Sequence, residues 1–183
     1  PKHDNRHRNL SKEEIETLIS QGKTSIVIGK NFYDQKDGDD VIIRLFGNET
    51  DLNKDNLRLI LNNVKTIAVV GASSKSDRDS YRVMKFLQDF GYKIFPVNPK
   101  NNTKILGQKC YPDLSAIKER IDMVDVFRAI EHIPSIANEA INIRAKILWT
   151  QEGLYCEESE KIANNAGLKV IMNQCPKKIL ENE

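Results

Sequence analysis

The chain from about residue 66 onward predicts an α/β fold built on a parallel sheet of about five strands. Short apolar segments, among them 67–70 and 146–150, alternate there with segments whose apolar residues recur at helical spacing. Continuous apolar strands are typical of a parallel sheet that helices cover on both faces. These two observations favour a doubly wound, Rossmann-like domain, whose ligand lies beyond the carboxyl ends of the strands.

The predicted elements of this domain alternate in order along the chain. The helix at 80–90 carries Val83, Leu87 and Phe90 on one face and stops at Gly91, a residue suited to a helix end. A short helix at 56–64 leads into the first strand. The strands are predicted at 67–70, 93–97, 123–127, 146–150 and 169–172, and the further helices from Asp113, from Pro134 and at 157–166.

The sequence of residues 1–55 predicts a smaller extension that is separate from the Rossmann-like domain. The first ten residues are polar and are expected to be disordered. Ser11 and Glu14 fit a capping box that opens a helix, and two strand-like runs at 24–28 and 41–46 flank a polar loop, as in a hairpin. We therefore predict a tail at 1–10, a helix-plus-hairpin extension at 11–55 and the Rossmann-like domain at 56–183.

Composition excludes several classes of partner. The 28 basic and 26 acidic residues are well mixed along the 183 residues and leave a net charge of +2, with no basic stripe for nucleic acid or for a membrane surface. No apolar run is long enough to cross a bilayer. Cys110, Cys156 and Cys175 are widely spaced, which favours reduced thiols over disulfides or a zinc site. We expect a cytoplasmic protein without a metal.

The turn after the first core strand predicts a phosphate site. Gly71, Ala72 and Ser73 follow that strand directly, and Arg78 and Ser80 stand at the start of the next helix. Such a turn brings backbone N–H groups and the positive end of a helix to one point, which suits an anion. The same glycine is also compatible with an ordinary tight turn of any α/β domain.

The residues that follow the second strand indicate which class of phosphate-bearing ligand binds. Ser73 and Ser76 stand where a dinucleotide fingerprint has its further glycines, and Asn98, Pro99 and Lys100 follow the second strand, where an NAD site offers an acid to the ribose. A lysine there suits a ligand with an additional phosphate on its ribose. Coenzyme A and NADP both meet that requirement, and the missing glycines weigh against nicotinamide cofactors.

Six spaced motifs carry a resemblance to a known family. Over about residues 57–183 the chain resembles the stand-alone CoA-binding proteins, which are similar to the N-terminal, CoA-binding domain of the succinyl-CoA synthetase alpha subunit. The motifs are Val-Gly-Ala-Ser at 70–73, Arg-Asp-Ser-Tyr-Arg at 78–82, Pro-Val-Asn-Pro-Lys at 96–100, Asp-Val-Phe-Arg at 125–128, Leu-Trp-Thr-Gln-Glu-Gly at 148–153 and Cys-Pro-Lys at 175–177.

The resemblance implies a ligand, coenzyme A or an acyl-CoA, and a set of binding residues. The turn at 71–73, with Arg78 and Ser80, is expected to hold the pyrophosphate; 98–100 is expected to meet the adenosine end, and 151–153 to line the pantetheine path. The predicted binding residues are Gly71, Ala72, Ser73, Arg78, Ser80, Val97, Asn98, Pro99, Lys100, Phe127, Arg128, Gln151, Glu152, Gly153 and Cys175.

The resemblance does not extend to catalysis. The synthetase uses a phosphorylated histidine of a further domain, and none of His3, His7 and His132 stands at a matching position. We therefore predict no catalytic residue, and a small-molecule CoA module rather than a self-sufficient enzyme. A ligase-like subunit that needs an unidentified protein partner, an NADP-dependent oxidoreductase and an interaction protein with a vestigial site remain as alternatives.

Three predicted residues have two interpretations. Phe127 and Arg128 end the third core strand, where they either close the core or stack on adenine. Cys175 is either a small buried hydrophobic residue or a thiol close to the thiol of the ligand, able to form a mixed disulfide.

Overall fold

The computed structural model describes residues 25–28, 31–34 and 54–181, and its described chain divides between Asn63 and Val64 into two units. The first unit contains an antiparallel pair, β1 (Ser25–Ile28) and β2 (Asn31–Asp34), and helix α1 (Lys54–Asn62). The predicted helix that begins at Ser11 and the predicted strand at 41–46 lie outside the described residues.

The partner of β1 differs from the prediction. Ser25 stands opposite Asp34 and Ile28 opposite Asn31, so only two residues of sequence separate the paired strands. A connection of that length is the commonest one in hairpins. The prediction was wrong because β2 has no long apolar run, and the pattern at 41–46 was stronger.

The second unit has the predicted α/β architecture, and the fold class is confirmed. Five parallel strands stand in the order β4-β3-β5-β6-β7. The strands are β3 (Thr66–Val70), β4 (Lys93–Val97), β5 (Met123–Val126), β6 (Ile147–Thr150) and β7 (Lys169–Ile171), and the helices are α2 (Asp79–Phe90), α3 (Ile133–Asn142), α4 (Glu157–Asn165) and α5 (Pro176–Leu180).

The strand order places a topological switch point between β3 and β5. From β3 the chain first adds β4 on one side and then returns to add β5, β6 and β7 on the other. Val70 and Val126 are paired in the register, so the two strands end side by side. In an open α/β sheet a ligand binds in the crevice that opens at this point.

The two faces of the sheet differ in polarity. Ala68, Val124 and Leu148 point to one face, where they form an apolar core with residues of α3 and α4, among them Ala137 and Ala163. Alternate residues of a strand point to opposite faces, so the residues next to them lie on the other face.

On that second face three residues stand in register across β3, β5 and β6. They are Val69, Asp125 and Trp149, and all three are fully buried. The Trp149 indole N–H donates to the Gln174 carbonyl at 2.9 Å. Asp125 is a carboxyl group on β5, in the middle of the sheet.

Two elements of the second unit differ from the prediction. The helix expected from Asp113 is a single 3-10 turn, Leu114–Ala116; Asp113 does cap it by accepting from the Ala116 N–H at 2.9 Å, but Ile117 is already extended. Helix α5, which starts with Pro176, was not predicted, since five residues are too few to show helical periodicity.

Candidate functional site

The turn after β3 is built around Gly71. Gly71 has a φ of +90°, and a Cβ atom at this position would lie 2.7 Å from the Phe127 carbonyl oxygen and 3.1 Å from Arg128 Cδ. Only glycine combines that dihedral angle with so close an approach. The turn therefore lies directly against the residues that follow β5, at the switch point.

The first amide groups of this turn bind the protein itself. The N–H groups of Gly71 and Ala72 both donate to the Val97 carbonyl, at 3.0 and 3.2 Å. The Asn98 side-chain amide donates to the Ala72 carbonyl at 2.8 Å, and its oxygen accepts from the Lys100 N–H at 2.9 Å. Val97 and Asn98 thus hold the turn to the end of β4, and the predicted phosphate contact falls to Ser73 and the residues after it.

A cleft of about 460 Å³ opens beside the turn, at the carboxyl ends of β5 and β6. Its walls come from the first part of α2, from the residues after β5 and β6, and from the start of α5. It is lined by Asp79, Arg82, Val83, Phe127, Arg128, Ala129, Gln151, Glu152, Leu154, Cys175, Lys177, Lys178 and Glu181.

The cleft brings together five of the predicted binding residues. These are Phe127, Arg128, Gln151, Glu152 and Cys175. The ten others lie outside its lining: Gly71, Ala72, Ser73, Arg78, Ser80, Val97, Asn98, Pro99, Lys100 and Gly153. Among these, Ser80 is buried and Lys100 is exposed. The Gly153 N–H donates to the Asn173 side-chain oxygen at 2.6 Å. Their roles toward a ligand stay predictions.

Several lining residues were missed by the sequence analysis. Lys177, Lys178 and Glu181 come from α5 or the residue after it, and they had no signal beyond the Cys-Pro-Lys motif, since α5 itself was not predicted. Arg82, the last residue of the motif at 78–82, also lines the cleft and pairs with Asp79 at 3.0 Å.

One arginine of the cleft has no acidic partner among residues 54–181. Lys178 contacts Glu152 at 2.8 Å and Lys177 contacts Glu181 at 3.2 Å, so these lysines are already paired. Within residues 54–181 Arg128 makes no ion pair, and it is half-buried with its stem against Gly71. An anion in the cleft would therefore meet Arg128 without competition from a carboxylate.

Beneath the cleft Asp125 is bonded to Gln151. Gln151 Nε2 donates to Asp125 Oδ1 at 2.7 Å, and Asp125 is fully buried. In the described part of the chain, Asp125 Oδ2 is the one fully buried side-chain oxygen or nitrogen without a hydrogen-bond partner. Burial raises the pKa of Asp125 to about 7, against the opposing effect of the Gln151 bond and the Val126 N–H.

Cys175 lies at the cleft in its thiol form. Burial raises the pKa of the Cys175 thiol, the N–H groups of Lys178 and Lys177 oppose this, and the charges of Asp125 and Glu152 raise it further. The thiolate is the reactive form of cysteine, so Cys175 is not an activated nucleophile. Among residues 54–181 no group of three histidine, cysteine or acidic side chains could hold a metal ion, and no helix is long and apolar enough to span a membrane.

The comparison with known proteins identifies the family of this chain. Residues 65–181 match the CoA binding domain family, and the chain belongs to that family. The resemblance expected from the motifs is thereby confirmed over nearly the predicted range.

Individual relatives agree with this assignment. The chain is 42% identical over 125 residues to the uncharacterized protein YneT of Bacillus subtilis, an alignment that covers 68% of this chain and 92% of YneT. It is 35% identical over 75 residues to an ADP-forming acetate–CoA ligase of Methanocaldococcus jannaschii, which covers 41% of this chain and 10% of the ligase. A solved structure of a hypothetical protein from Pyrococcus horikoshii OT3 is 40% identical, with a TM-score of 0.68, over 71% of this chain and 91% of that one.

Proposed function

We propose that this protein binds coenzyme A or an acyl-CoA in the cleft at the carboxyl ends of β5 and β6. The observation that carries the proposal is Arg128, a half-buried cation that lies against the Gly71 turn at the switch point and makes no ion pair within residues 54–181. Membership in the CoA binding domain family supports it, because residues 65–181 include the whole lining of the cleft.

The groups around the cleft fit the chemistry of coenzyme A. Arg128 offers charge-assisted hydrogen bonds to the pyrophosphate, beside the Gly71 turn and the helix start that follows it. Gln151 offers an amide to the amide-rich pantetheine arm, and Cys175 lies at the same wall. Lys100, exposed after β4, is the cation that we assign to the 3′-phosphate.

The proposed role is binding without independent catalysis. A nucleophile needs an adjacent base that activates it, and the cleft lining contains no histidine. Cys175 is a buried thiol whose pKa is raised. Holding a CoA thioester for another protein, or sensing it, is the role that such a cleft can fill.

Isothermal titration calorimetry with CoA, dephospho-CoA, NAD and NADP tests the proposal. We expect CoA to bind, dephospho-CoA to bind more weakly, and NAD not to bind. Arg128→Gln should weaken CoA binding by at least about tenfold, the effect of losing a charged hydrogen bond. The matched control Arg120→Gln changes an exposed arginine outside the cleft and should bind as the unmodified protein does.

Lys100 accounts for the expected difference between CoA and dephospho-CoA. Lys100→Ala should remove most of that difference, which we put at about 1–2 kcal/mol for one partly exposed charged contact. Equal affinity for NAD and CoA would contradict the proposal, and tighter binding of NADP than of CoA would favour the oxidoreductase alternative.

A ligase-like subunit is the second candidate, and the match to the acetate–CoA ligase favours it. Because the matched region is 10% of that ligase, the remaining machinery would have to come from another chain. Copurification followed by an assay of ADP release with acetate, ATP and CoA tests this. Turnover only in the presence of a copurified partner would support the second candidate, and turnover by the chain alone would contradict the binding-only role.

A further inference from the structure

Asp125 and Gln151 form a polar pair at the border between the sheet and the cleft. Asp125 lies inside β5 and is fully buried, whereas Gln151 follows β6 and lines the cleft. Gln151 Nε2 donates a hydrogen bond to Asp125 Oδ1 at 2.7 Å. Because an ionised carboxylate only accepts hydrogen bonds, it holds the NH₂ end of the amide toward itself.

The other end of the Gln151 amide faces the cleft. Its oxygen, Oε1, accepts no hydrogen bond from residues 54–181, and yet it is not among the fully buried atoms without a partner, a condition met only by Asp125 Oδ2 in the described chain. Oε1 therefore keeps contact with the solvent of the cleft. In this arrangement the cleft presents a hydrogen-bond acceptor.

We propose that Asp125 is a positioning residue whose protonation state decides which end of the Gln151 amide faces the cleft. The carboxylate form accepts from Nε2 and leaves Oε1 in the cleft. When the carboxylate takes a proton from the solvent, a proton on Oδ2 would be a buried donor without an acceptor, because Oδ2 has no partner among the described residues. A proton on Oδ1 can instead donate to Oε1 once the amide has turned over, and the NH₂ group then faces the cleft. The cleft thus changes from acceptor to donor on protonation of a residue that no ligand touches.

The surroundings of Asp125 make this change accessible near neutral pH. Val69 and Trp149 stand opposite it on β3 and β6, so its strand neighbours are apolar. The titratable group beside it on the α5 side is the Cys175 thiol, whose pKa it raises. The charged groups of the cleft are Asp79 and Arg82 from α2, Arg128 after β5, Glu152 after β6, and Lys177, Lys178 and Glu181 from α5 and its end. Burial raises the pKa of Asp125 to about 7.

A bound ligand would favour one protonation state of Asp125, and this step rests on the proposed function. A pantetheine arm carries amide N–H groups that can donate to Gln151 Oε1, and only the carboxylate form of Asp125 leaves that oxygen in the cleft. Binding should therefore release a proton, and affinity should rise with pH across neutrality.

The first arm of the experiment needs no ligand. In ¹⁵N-labelled protein the side-chain NH₂ signals of Gln151, assigned by their loss in Gln151→Met, are followed by NMR from pH 5 to pH 9. We expect them to shift with a midpoint near 7 in the unmodified protein and to stay constant in Asp125→Asn, which cannot titrate. The matched control Asp89→Asn changes an exposed acid outside the cleft and should keep the titration.

The second arm measures binding of dephospho-CoA by calorimetry at pH 6 and pH 8. Dephospho-CoA is the probe because it lacks the 3′-phosphate of CoA. A phosphate monoester has a pKa of about 6, so its titration would overlap with the titration of Asp125. The dissociation constant should fall about fivefold from pH 6 to pH 8, the effect typical of one uncharged hydrogen bond. This pH dependence should be absent from Asp125→Asn and from Gln151→Met, and kept in Asp89→Asn.

The two arms separate the possible failures. Gln151 signals that ignore pH, or that titrate equally in Asp125→Asn, would overturn the positioning role. A normal titration combined with pH-independent binding of dephospho-CoA would overturn its effect on the ligand. Absence of binding at both pH values, with the titration intact, would overturn the proposed function and leave the coupling of Asp125 to Gln151 supported. If Asp125→Asn does not fold, Gln151→Met still supplies the binding comparison.

Discussion

The two faces of the sheet are built from the same strands and serve different ends. On β5, Val124 and Val126 point into the apolar core with α3 and α4, while Asp125 between them points to the opposite face and bonds Gln151 at the cleft. The first face packs an apolar cluster against α3 and α4, and the second includes a buried carboxyl group beneath the candidate binding site. Alternation along one strand thus separates residues that stabilise the core from residues that serve the candidate binding site.

The largest expected difference between the faces is in the pH dependence of stability. Burial raises the pKa of Asp125 from 3.8 to about 7, so the folded protein binds a proton that the unfolded chain releases between these values. The stabilising contribution of that proton is fully present below pH 3.8 and is lost as the pH rises through 7. The shift of about three pKa units corresponds to a loss of up to about 4 kcal/mol.

Urea unfolding of the unmodified protein and of Asp125→Asn between pH 4 and pH 8 measures this contribution. The variant should lack this fall in the free energy of unfolding and should be the more stable protein at pH 8. Parallel pH profiles of the two proteins would show that Asp125 is not the titrating group.

The second prediction exchanges the polarity of the apolar face. Val124→Asn places an amide without partners in the core of α3 and α4, which should lower the free energy of unfolding by about 3 kcal/mol. Asp125→Asn, one residue further along the same strand, is its matched control and should cost nothing at pH 8. Similar losses in the two variants, measured by urea unfolding at pH 8, would mean that the faces do not differ as we describe.

Alternation of this kind explains how much the sequence could reveal. The apolar strands, the helix end at Gly91 and the turn at Gly71 have local signals, and the five-stranded sheet was predicted from them. Asp125 has no sequence signal beyond its place in the Asp-Val-Phe-Arg motif, because its neighbours Val124 and Val126 give the strand an ordinary apolar appearance. Its significance depends on Gln151, which only the folded sheet brings to 2.7 Å.

The cleft was predicted less completely for a related reason. Phe127 ends a predicted strand, and Arg128 and Gln151 directly follow predicted strands, so the sequence places all three at the correct edge of the sheet. Lys177 and Lys178 come from the short helix α5, which has no periodicity to detect. The binding of the Gly71 and Ala72 N–H groups by Val97 is also invisible in the sequence, because it joins two strand ends 26 residues apart.

The third prediction concerns the turn where the second face meets the cleft. Gly71→Ala introduces a Cβ atom 2.7 Å from the Phe127 carbonyl oxygen at a φ of +90°, and we expect it to cost about 2–3 kcal/mol and to weaken CoA binding. Gly91→Ala is the matched control: its φ is +120°, but a Cβ atom there meets nothing within 4 Å. This variant should cost about 1 kcal/mol and leave binding unchanged. Thermal unfolding and calorimetry of both variants test the difference.

The smallest expected effect is a slow modification of Cys175. If CoA lies in the cleft with its pyrophosphate near Arg128, its thiol end passes the wall that Cys175 forms. With oxidised CoA, the Cys175 thiolate attacks one sulfur of the disulfide, a protein–CoA disulfide forms, and the second CoA leaves as a thiolate. Because burial raises the pKa of the Cys175 thiol, little thiolate is present at pH 7 and the reaction should accelerate toward pH 9.

The other two cysteines are internal controls for this reaction. Cys110 is buried with a raised thiol pKa, Cys156 is half-buried with its sulfur 3.0 Å from Ser159 Oγ, and neither lines the cleft. Intact-mass measurement and peptide mapping after incubation with oxidised CoA should find the modification on Cys175 and not in Cys175→Ser. Equal modification of all three cysteines would indicate that binding in the cleft does not direct the reaction to Cys175. Modification confined to Cys175, and suppressed by Arg128→Gln, would tie the thiol to the same bound ligand and so to the face of the sheet that carries Asp125.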